Sequence, residues 1–557
     1  MARGAAAGRS GLPGEPHEAG GGAAAAVSAH NPKATRREME RMDSIAILDF
    51  GSQTTQLIGR RIRELGVHAR IFPGTASPDE LPREGLKGII LSGSPASVYD
   101  EEAPRPDAGV YDLGVPVLGI CYGLQRMVAD GGGSVARDDR REFGRSAVRI
   151  LDRHPLFTDI PEGFVSWMSH GDRIIEAPAD ASVVATTNSE LIGAVAWEDR
   201  PHIGIQFHPE VSHCEYGSEI LKNFCFAMCA ASADWSVDRY LEDRIEAVRE
   251  RVGDTPVLTL VSGGVDSTVA ARLMLQALPP DQVHLMFVDT GLLRRGEREQ
   301  VEEALGRAGA RHLHVINAAD EFLGALAGVT DPEEKRRIIG DLFMTVQQRE
   351  IAAHLPEDYY LVQGTLYTDL IESGRGVGRS ARVIKTHHNV GSPLVAQKRA
   401  EGRIIEPLDG VYKDEVRALG ALLDVPRTVL ERHPFPGPGL AVRILGEVTP
   451  ERCETLRAVD EILIRELHAR NLYTSIWQAF SVLLPVRSVG VVGDVRGYAD
   501  VAAIRCVVSE DGMTADVYPF PYDDLFEISA TITNRVEAVG RVVYDVSSKP
   551  PSTIEWE

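Results

Sequence analysis

The stretch VLTLVSGGVDSTVAARLM, residues 257–274, decides how the chain is read. An apolar run from Val257 to Val261 stops at Ser262-Gly263-Gly264, and helical spacing resumes from Thr268 through Met274. Strand, glycine turn and helix start are the ingredients for holding phosphate on backbone N–H groups. No lysine follows the glycines, so this is not the G-x-x-x-x-G-K-[ST] loop that grips β- and γ-phosphates. Ser262, Gly263, Gly264, Val265, Asp266, Ser267 and Thr268 therefore predict a phosphate cradle of main-chain N–H groups and hydroxyls. The competing reading is a plain glycine turn.

Around this stretch lie further apolar strands at 284–288 and 359–362, an α/β series running to about residue 425. Upstream, the strand 44–50 leads through Gly51-Ser52-Gln53 into a helix over 54–65, with more apolar strands at 69–72, 88–91 and 115–120. Fully apolar strands alternating with helices read as a parallel sheet covered on both faces. From about residue 428 a helix (451–470) and strands (486–492, 501–507, 541–546) make an α+β pattern. The expected architecture is two consecutive doubly wound α/β domains with mainly parallel sheets, at 44–232 and 233–427. A smaller α+β domain follows at 428–557. The first 30 residues hold ten Ala and seven Gly. Such a segment buries too little apolar surface to offset its ordering entropy, so 1–43 is expected to be a disordered leader. It lacks the apolar centre of a signal peptide.

A formal net charge of −22 repels nucleic acid and anionic membranes, and neither a basic patch nor an apolar run of spanning length is evident. The six cysteines are sparse and irregularly spaced, which suits a reducing cytoplasm. Cys225 and Cys229, near Cys214 and His213, invite a metal reading. A helix over 218–230 burying two small apolar side chains at i and i+4 is the preferred one, and no metal ligands are assigned.

The last strand of the first domain ends in Gly119-Ile120-Cys121-Tyr122-Gly123, with helical residues after it. This is nucleophile-elbow logic with Cys in place of Ser: glycines permit a strained strand-to-helix turn that exposes the side chain. At the helix N-terminus the dipole lowers the thiol pKa. Downstream, Gly204-Ile-Gln-Phe-His208-Pro209-Glu210 reads as extended, so period-two geometry sends His208 and Glu210 to one side. Glu210 can then orient His208 as it serves Cys121, which is triad logic. Ser92-Gly93-Ser94-Pro95 ends a neighbouring strand and offers backbone donors to an oxyanion.

The elbow, the His-Pro-Glu segment and Ser-Gly-Ser-Pro together resemble the class I glutamine amidotransferases, which hydrolyse glutamine through a cysteinyl thioester and release ammonia. That family carries two glycines where this chain has Gly93-Ser94. The loop 262–268 resembles that of the N-type ATP pyrophosphatases, which holds the leaving β,γ-pyrophosphate, with Asp266 linked to Mg²⁺. Adding Lys549-Pro-Pro-Ser-Thr-Ile-Glu-Trp-Glu557, His433-Pro-Phe-Pro-Gly-Pro-Gly-Leu440 and Lys385-Thr-His-His-Asn389, residues 44–557 resemble the glutamine-hydrolysing GMP synthases. The resemblance implies that XMP, ATP, glutamine and water become GMP, AMP, pyrophosphate and glutamate. Mg²⁺ would come with ATP, and no organic prosthetic group is expected. It also implies a cytoplasmic homodimer joined through the C-terminal domain. Lys549 and Glu555 would contact XMP, with Arg541, Gln478 and Arg336 helping. Residues 366–395, with Lys385, His387 and His388, would form a lid over ATP.

Two other readings compete. A tRNA-thiolating enzyme shares the loop but needs sulfur-carrying cysteines, and residues 231–452 contain none. A non-catalytic nucleotide sensor would not need Cys121, His208 and Glu210 beside an intact phosphate loop.

Overall fold

The computed structural model describes residues 42–188, 190–372, 393–492, 495–509 and 514–557, and among these three sheets carry the architecture. The first contains β1 (Ser44–Asp49), β2 (His68–Pro73), β3 (Leu86–Leu91), β4 (Val117–Ile120) and β5 (Ser134–Ile150). It continues through β6 (Gly163–Glu176), β7 (Ala181–Thr187), β8 (Ile192–Trp197) and β9 (His202–Ile205). Their order is β2-β1-β3-β4-β9-β8-β7-β5-β6. The run β2-β1-β3-β4-β9 is parallel, and β9-β8-β7-β5-β6 is antiparallel.

The strand ending at Ile120 is therefore not the last of its sheet, since five more follow it. Of these, β8 and β9 are almost wholly buried, while along β6 buried and less buried positions largely alternate. Charge at alternate positions hides such strands from a search for apolar runs. In the parallel half, by contrast, Ile45 and Ile47 face one core while Ala46 and Leu48 face the other.

The second sheet has the order β12-β11-β10-β13-β14 and is parallel throughout. Its strands are β10 (Val257–Leu260), β11 (Val283–Asp289), β12 (His312–Asn317), β13 (Tyr360–Val362) and β14 (Ile404–Ile405). In the third sheet β15 (Gln478–Val492) and β16 (Val495–Val508) form a long antiparallel ribbon, β17 (Asp516–Val517) pairs with β16, and β18 (Val539–Tyr544) runs parallel to it.

Five helices flank the functional segments: α1 (Thr55–Glu64), α2 (Tyr122–Asp130), α3 (Val265–Ala277), α4 (Pro332–His354) and α5 (Lys413–Leu422). Met42, which the sequence assigns to the leader, is buried in the cluster around Trp235 and Tyr240. Asp43 accepts hydrogen bonds from the backbone N–H and hydroxyl of Ser232 at 3.0 and 2.9 Å. The helix Gly217–Lys222 passes into a π-helical turn, Asn223–Met228. Cys225 and Cys229 are buried there in the apolar core, and burial pushes the Cys225 thiol up to about 12.

One buried cation ties the first sheet to the second. Arg63, on α1, donates to Ala69 O in β2 at 2.9 Å, to Gly410 O at 2.7 Å and to Glu415 Oε2 on α5 at 3.0 Å. The rings of Trp235, Tyr412 and Tyr367 surround its guanidinium at 4.8, 4.9 and 5.2 Å. Arg63→Met removes the charge and strands the nearly buried Glu415 carboxylate, which should cost about 3–5 kcal/mol. A denaturant midpoint equal to the wild type's would show that Arg63 does not carry this junction.

Candidate active sites

Strands β1, β3, β4 and β9 are neighbours and parallel, so the segments leaving their C-terminal ends meet at one edge, where open α/β sheets place their ligands. Cys121 leaves β4 with φ 54° and ψ −105°, a left-handed conformation that costs a non-glycine residue about 1–3 kcal/mol. The flanking glycines explain why the chain holds it. A Cβ on Gly123 would lie 2.3 Å from Leu91 O in β3, and one on Gly119 would lie 2.6 Å from Leu124 N. Helix α2 is thus seated directly on the sheet end, with the cysteine side chain at its first turn.

His208 follows β9, and its Nδ1 lies 2.7 Å from Glu210 Oε1. The two residues occupy a turn rather than a strand, so the turn at Pro209, and not period-two alternation, brings them together. Glu210 is fully buried, and Arg61 on α1 donates to its backbone carbonyl at 3.3 Å. Burial alone would disfavour the imidazolium. The Glu210 carboxylate and the Cys121 sulfur outweigh it and hold the His208 pKa well above the usual histidine value.

The loop after β3 backs onto this imidazole. A Cβ on Gly93 would stand 3.5 Å from His208 Cε1 and 3.2 Å from Ser52 Oγ. Ser92 Oγ accepts from Phe50 N at 3.0 Å, tying the loops after β1 and β3 to each other. A buried amide that the sequence did not single out also reaches the cysteine: Gln206 Nε2 is 3.6 Å from Cys121 Sγ. Its signal was a polar residue inside the apolar run 203–207.

The phosphate loop lies between β10 and α3. Gly263 takes φ +81°, where a Cβ would meet Val301 at 3.0 Å. Ser262 Oγ and Ser267 Oγ are 3.1 Å apart, Ser267 Oγ accepts from Ser262 N, and Thr268 Oγ1 donates to Gly264 O at 2.8 Å. Arg432 donates to Gly263 O at 2.9 Å. Lys413, opening α5, stands 3.9 Å from Asp266 Oδ2. Burial raises the Asp266 carboxyl pKa, Lys413 opposes this, and neighbouring Asp369 adds to it.

Around the C-terminal tail, Glu555 pairs with Arg443 at 2.8 Å and accepts from Gln478 Nε2 at 2.9 Å. Arg336 donates to Glu557 O at 2.6 Å, and the fully buried Lys335 meets Glu557 Oε2 at 2.7 Å. Gln478 and Arg336 thus meet the C-terminal tail that carries Glu555. Lys335 and Arg443 were missed, although the run Lys335-Arg336-Arg337 marks that stretch as cationic. The backbone of Lys549 pairs with that of Ala515. Arg541 lies apart, exposed on β18, donating to Ser488 Oγ at 2.9 Å. Lys385, His387 and His388 fall outside the described residues.

A cysteine elbow with a His-Glu pair on a Rossmann-like edge, joined to a lysine-free phosphate loop, defines a glutamine amidotransferase coupled to a nucleotide-activating unit. Family models agree. One described as glutamine amidotransferase class-I matches residues 46–228, one as asparagine synthase 241–348, and one as GMP synthase C terminal domain 465–556. The chain is 49% identical to the glutamine-hydrolysing GMP synthase of Aquifex aeolicus, over 92% of this chain and 99% of that one. It is 48% identical to that of Eremothecium gossypii, over 92% and 98%. The chain belongs to the family of glutamine-hydrolysing GMP synthases.

Because the folded His208 pKa is raised, its pairing stabilises the protein fully below the unfolded value of about 6.5. The contribution is lost as pH rises through the folded value. The stability advantage of the wild type over His208→Gln, measured by denaturation from about pH 5 to 9, should therefore be largest at the acid end and shrink upward. An advantage that grows with pH would contradict the imidazolium pairing.

Proposed function

We propose that this chain makes GMP from XMP with glutamine as nitrogen donor, through two chemically separate sites. The observation that carries this reading is the coexistence of the Cys121–His208–Glu210 group at one sheet edge and a lysine-free phosphate loop at another. Cys121 attacks the glutamine carboxamide, and the Gly93 segment offers N–H groups to the oxyanion. His208, oriented by Glu210, delivers the proton with which ammonia leaves, and then activates the water that frees glutamate. In the second site the xanthine 2-oxygen attacks the α-phosphorus of ATP. Residues 262–268 hold the departing pyrophosphate, and ammonia displaces AMP.

The family's Mg²⁺ fits the residues present. Asp266 Oδ1 is buried without a hydrogen-bond partner, beside the Asp369 charge, and Asp266 would hold the ion. Bound there, Mg²⁺ would neutralise phosphate charge. Gln478, Glu555, Arg336 and Lys549 serve XMP. We assign glutamine hydrolysis to 44–232, ATP chemistry to 233–427 and dimerisation to 428–557. Support for the homodimer comes from Val486, Val489, Tyr498 and Val543, left exposed on the third sheet. Arg541 shares a side of β18 with Val543, so its part in nucleotide binding would be played across the dimer. Among the described residues no helix is long and apolar enough to cross a membrane, and the six free cysteines suit the cytoplasm.

The alternatives fit less well. A thiolating enzyme has no use for the glutaminase group, and a sensor has no use for its strained, buried cysteine.

Cys121→Ala should lose glutamine-dependent GMP formation by several orders of magnitude yet retain synthesis from ammonium at alkaline pH. Equal loss of both reactions would overturn the two-site reading. Asp266→Ala should show the mirror image: GMP formation abolished with either nitrogen source while glutamine hydrolysis survives. Normal turnover by that variant would remove the loop from the reaction.

A further inference from the structure

The cysteine has a neighbour that the triad does not account for. Gln206 is 1% exposed, and its Nε2 lies 3.6 Å from Cys121 Sγ, within reach of a hydrogen bond to sulfur. Its Oε1 lies 3.3 Å from Gln125 Nε2, on α2, and that same nitrogen lies 3.0 Å from Asp172 O in β6. An amide can be turned end for end, so which end faces the sulfur has to come from the network. Here the network decides it. A backbone carbonyl only accepts, so Asp172 O requires the NH₂ of Gln125. That NH₂ requires the oxygen of Gln206, which leaves the NH₂ of Gln206 facing Sγ. The polarity of one main-chain carbonyl is thus passed through two buried amides to the sulfur.

We infer that Gln206 is a positioning residue that donates a hydrogen bond to the Cys121 thiolate and thereby helps set the pH at which the nucleophile is available. A donor aimed at a developing anion favours the charged form, and in a dry site it does so more strongly than in water. His208, paired with Glu210, faces the sulfur from the turn after β9, and from β6 the Ser169 carbonyl stands 3.9 Å from Sγ, an acceptor that serves the thiol and not the thiolate. His208 faces the sulfur as the proton partner, and Gln206 holds the thiolate without exchanging a proton. The fully buried Gln206 cannot be replaced by water, so its loss leaves the sulfur with one donor fewer. The inference rests on Cys121 being the glutamine nucleophile, but its test reads the thiol directly and does not depend on turnover.

The test is the pH dependence of iodoacetamide alkylation at Cys121 in the full-length protein, followed by mass spectrometry of the Cys121 peptide, with Cys121→Ala as background. Gln206→Met removes the donor at similar volume, and Gln206→Glu keeps the shape but presents an acceptor. The alkylation midpoint should rise by about one pH unit in Gln206→Met and further in Gln206→Glu. Glutamine hydrolysis at neutral pH should fall about tenfold in kcat for Gln206→Met, with little change in KM. A cooperative unfolding transition identifies variants that have folded, and either one suffices for the comparison. Midpoints coincident with the wild type in a folded variant, whatever happens to turnover, would overturn the inference and leave Gln206 a packing residue. Loss of hydrolysis in Cys121→Ala with no shift in Gln206→Met would refute the Gln206 role alone. Retained hydrolysis in Cys121→Ala would instead refute the nucleophile assignment.

Discussion

A helix can be seated on the end of a sheet only where no Cβ stands between them, and the glutamine site depends on that steric rule. Gly119 and Gly123 supply the missing atoms, so α2 abuts Leu91 O and the turn between β4 and the helix is forced tight. The residue in the turn bears the strain, and that residue is Cys121. Strain and burial hold the sulfur in one place, against His208 on one side and an amide on another. An alanine at either glycine would push the helix off the sheet, and the geometry of every group around the sulfur would go with it.

The two sites are joined by charged side chains, of which Arg63 is taken out of water. Side chains of α1 do this in three directions: Arg61 holds the backbone of Glu210, Arg63 reaches Glu415, and Arg60 stands 3.4 Å from Asp414. On the same first turn of α5, Lys413 faces Asp266 of the phosphate loop. One helix therefore touches the turn that carries His208 and Glu210, and the helix it pairs with touches the loop 262–268. Further on, the buried Lys335 and Arg443 hold Glu557 and Glu555, fastening the tail to α4 and the loop before the third sheet. Buried ions are costly alone, so the contacts of Arg63, Lys335 and Arg443 tie their partners to one arrangement.

Much of this was legible in the residues, for physical reasons. The parallel strands announced themselves because both their faces are covered, which makes them almost wholly apolar, as in 45–48 and, Thr259 apart, 257–260. Cys121 and the His208–Glu210 pair were visible because glycines and a proline punctuate them. In the antiparallel half of the first sheet, β6 was hidden by its own alternation, where Ser169 and Asp172 mix with apolar residues. Gln206 was passed over because a polar residue in an apolar run carries no mark of what it faces. Lys413 was beyond reach for another reason. Nothing local connects it to Asp266, and only the packing of α5 on α3 does. The XMP residues came from resemblance, and the structure separates them into those gathered on the tail and Arg541 on the outer ribbon.

The pairing of β4 with β9 has a consequence for how the protein comes into being. Cys121 stands at the end of the fourth strand and His208 just past the ninth, adjacent in space but divided in the chain by four strands of antiparallel sheet. During synthesis the elbow emerges first and waits, without its base, until the whole intervening meander has been made and folded in beside it. Long-range pairings of this kind close late, because the loop entropy must be met before the contact rewards it. The nascent chain thus carries an unpartnered thiol, and the partner that would activate it arrives together with the strand that completes the sheet. The meeting of Cys121 and His208 and the completion of the sheet are then one event.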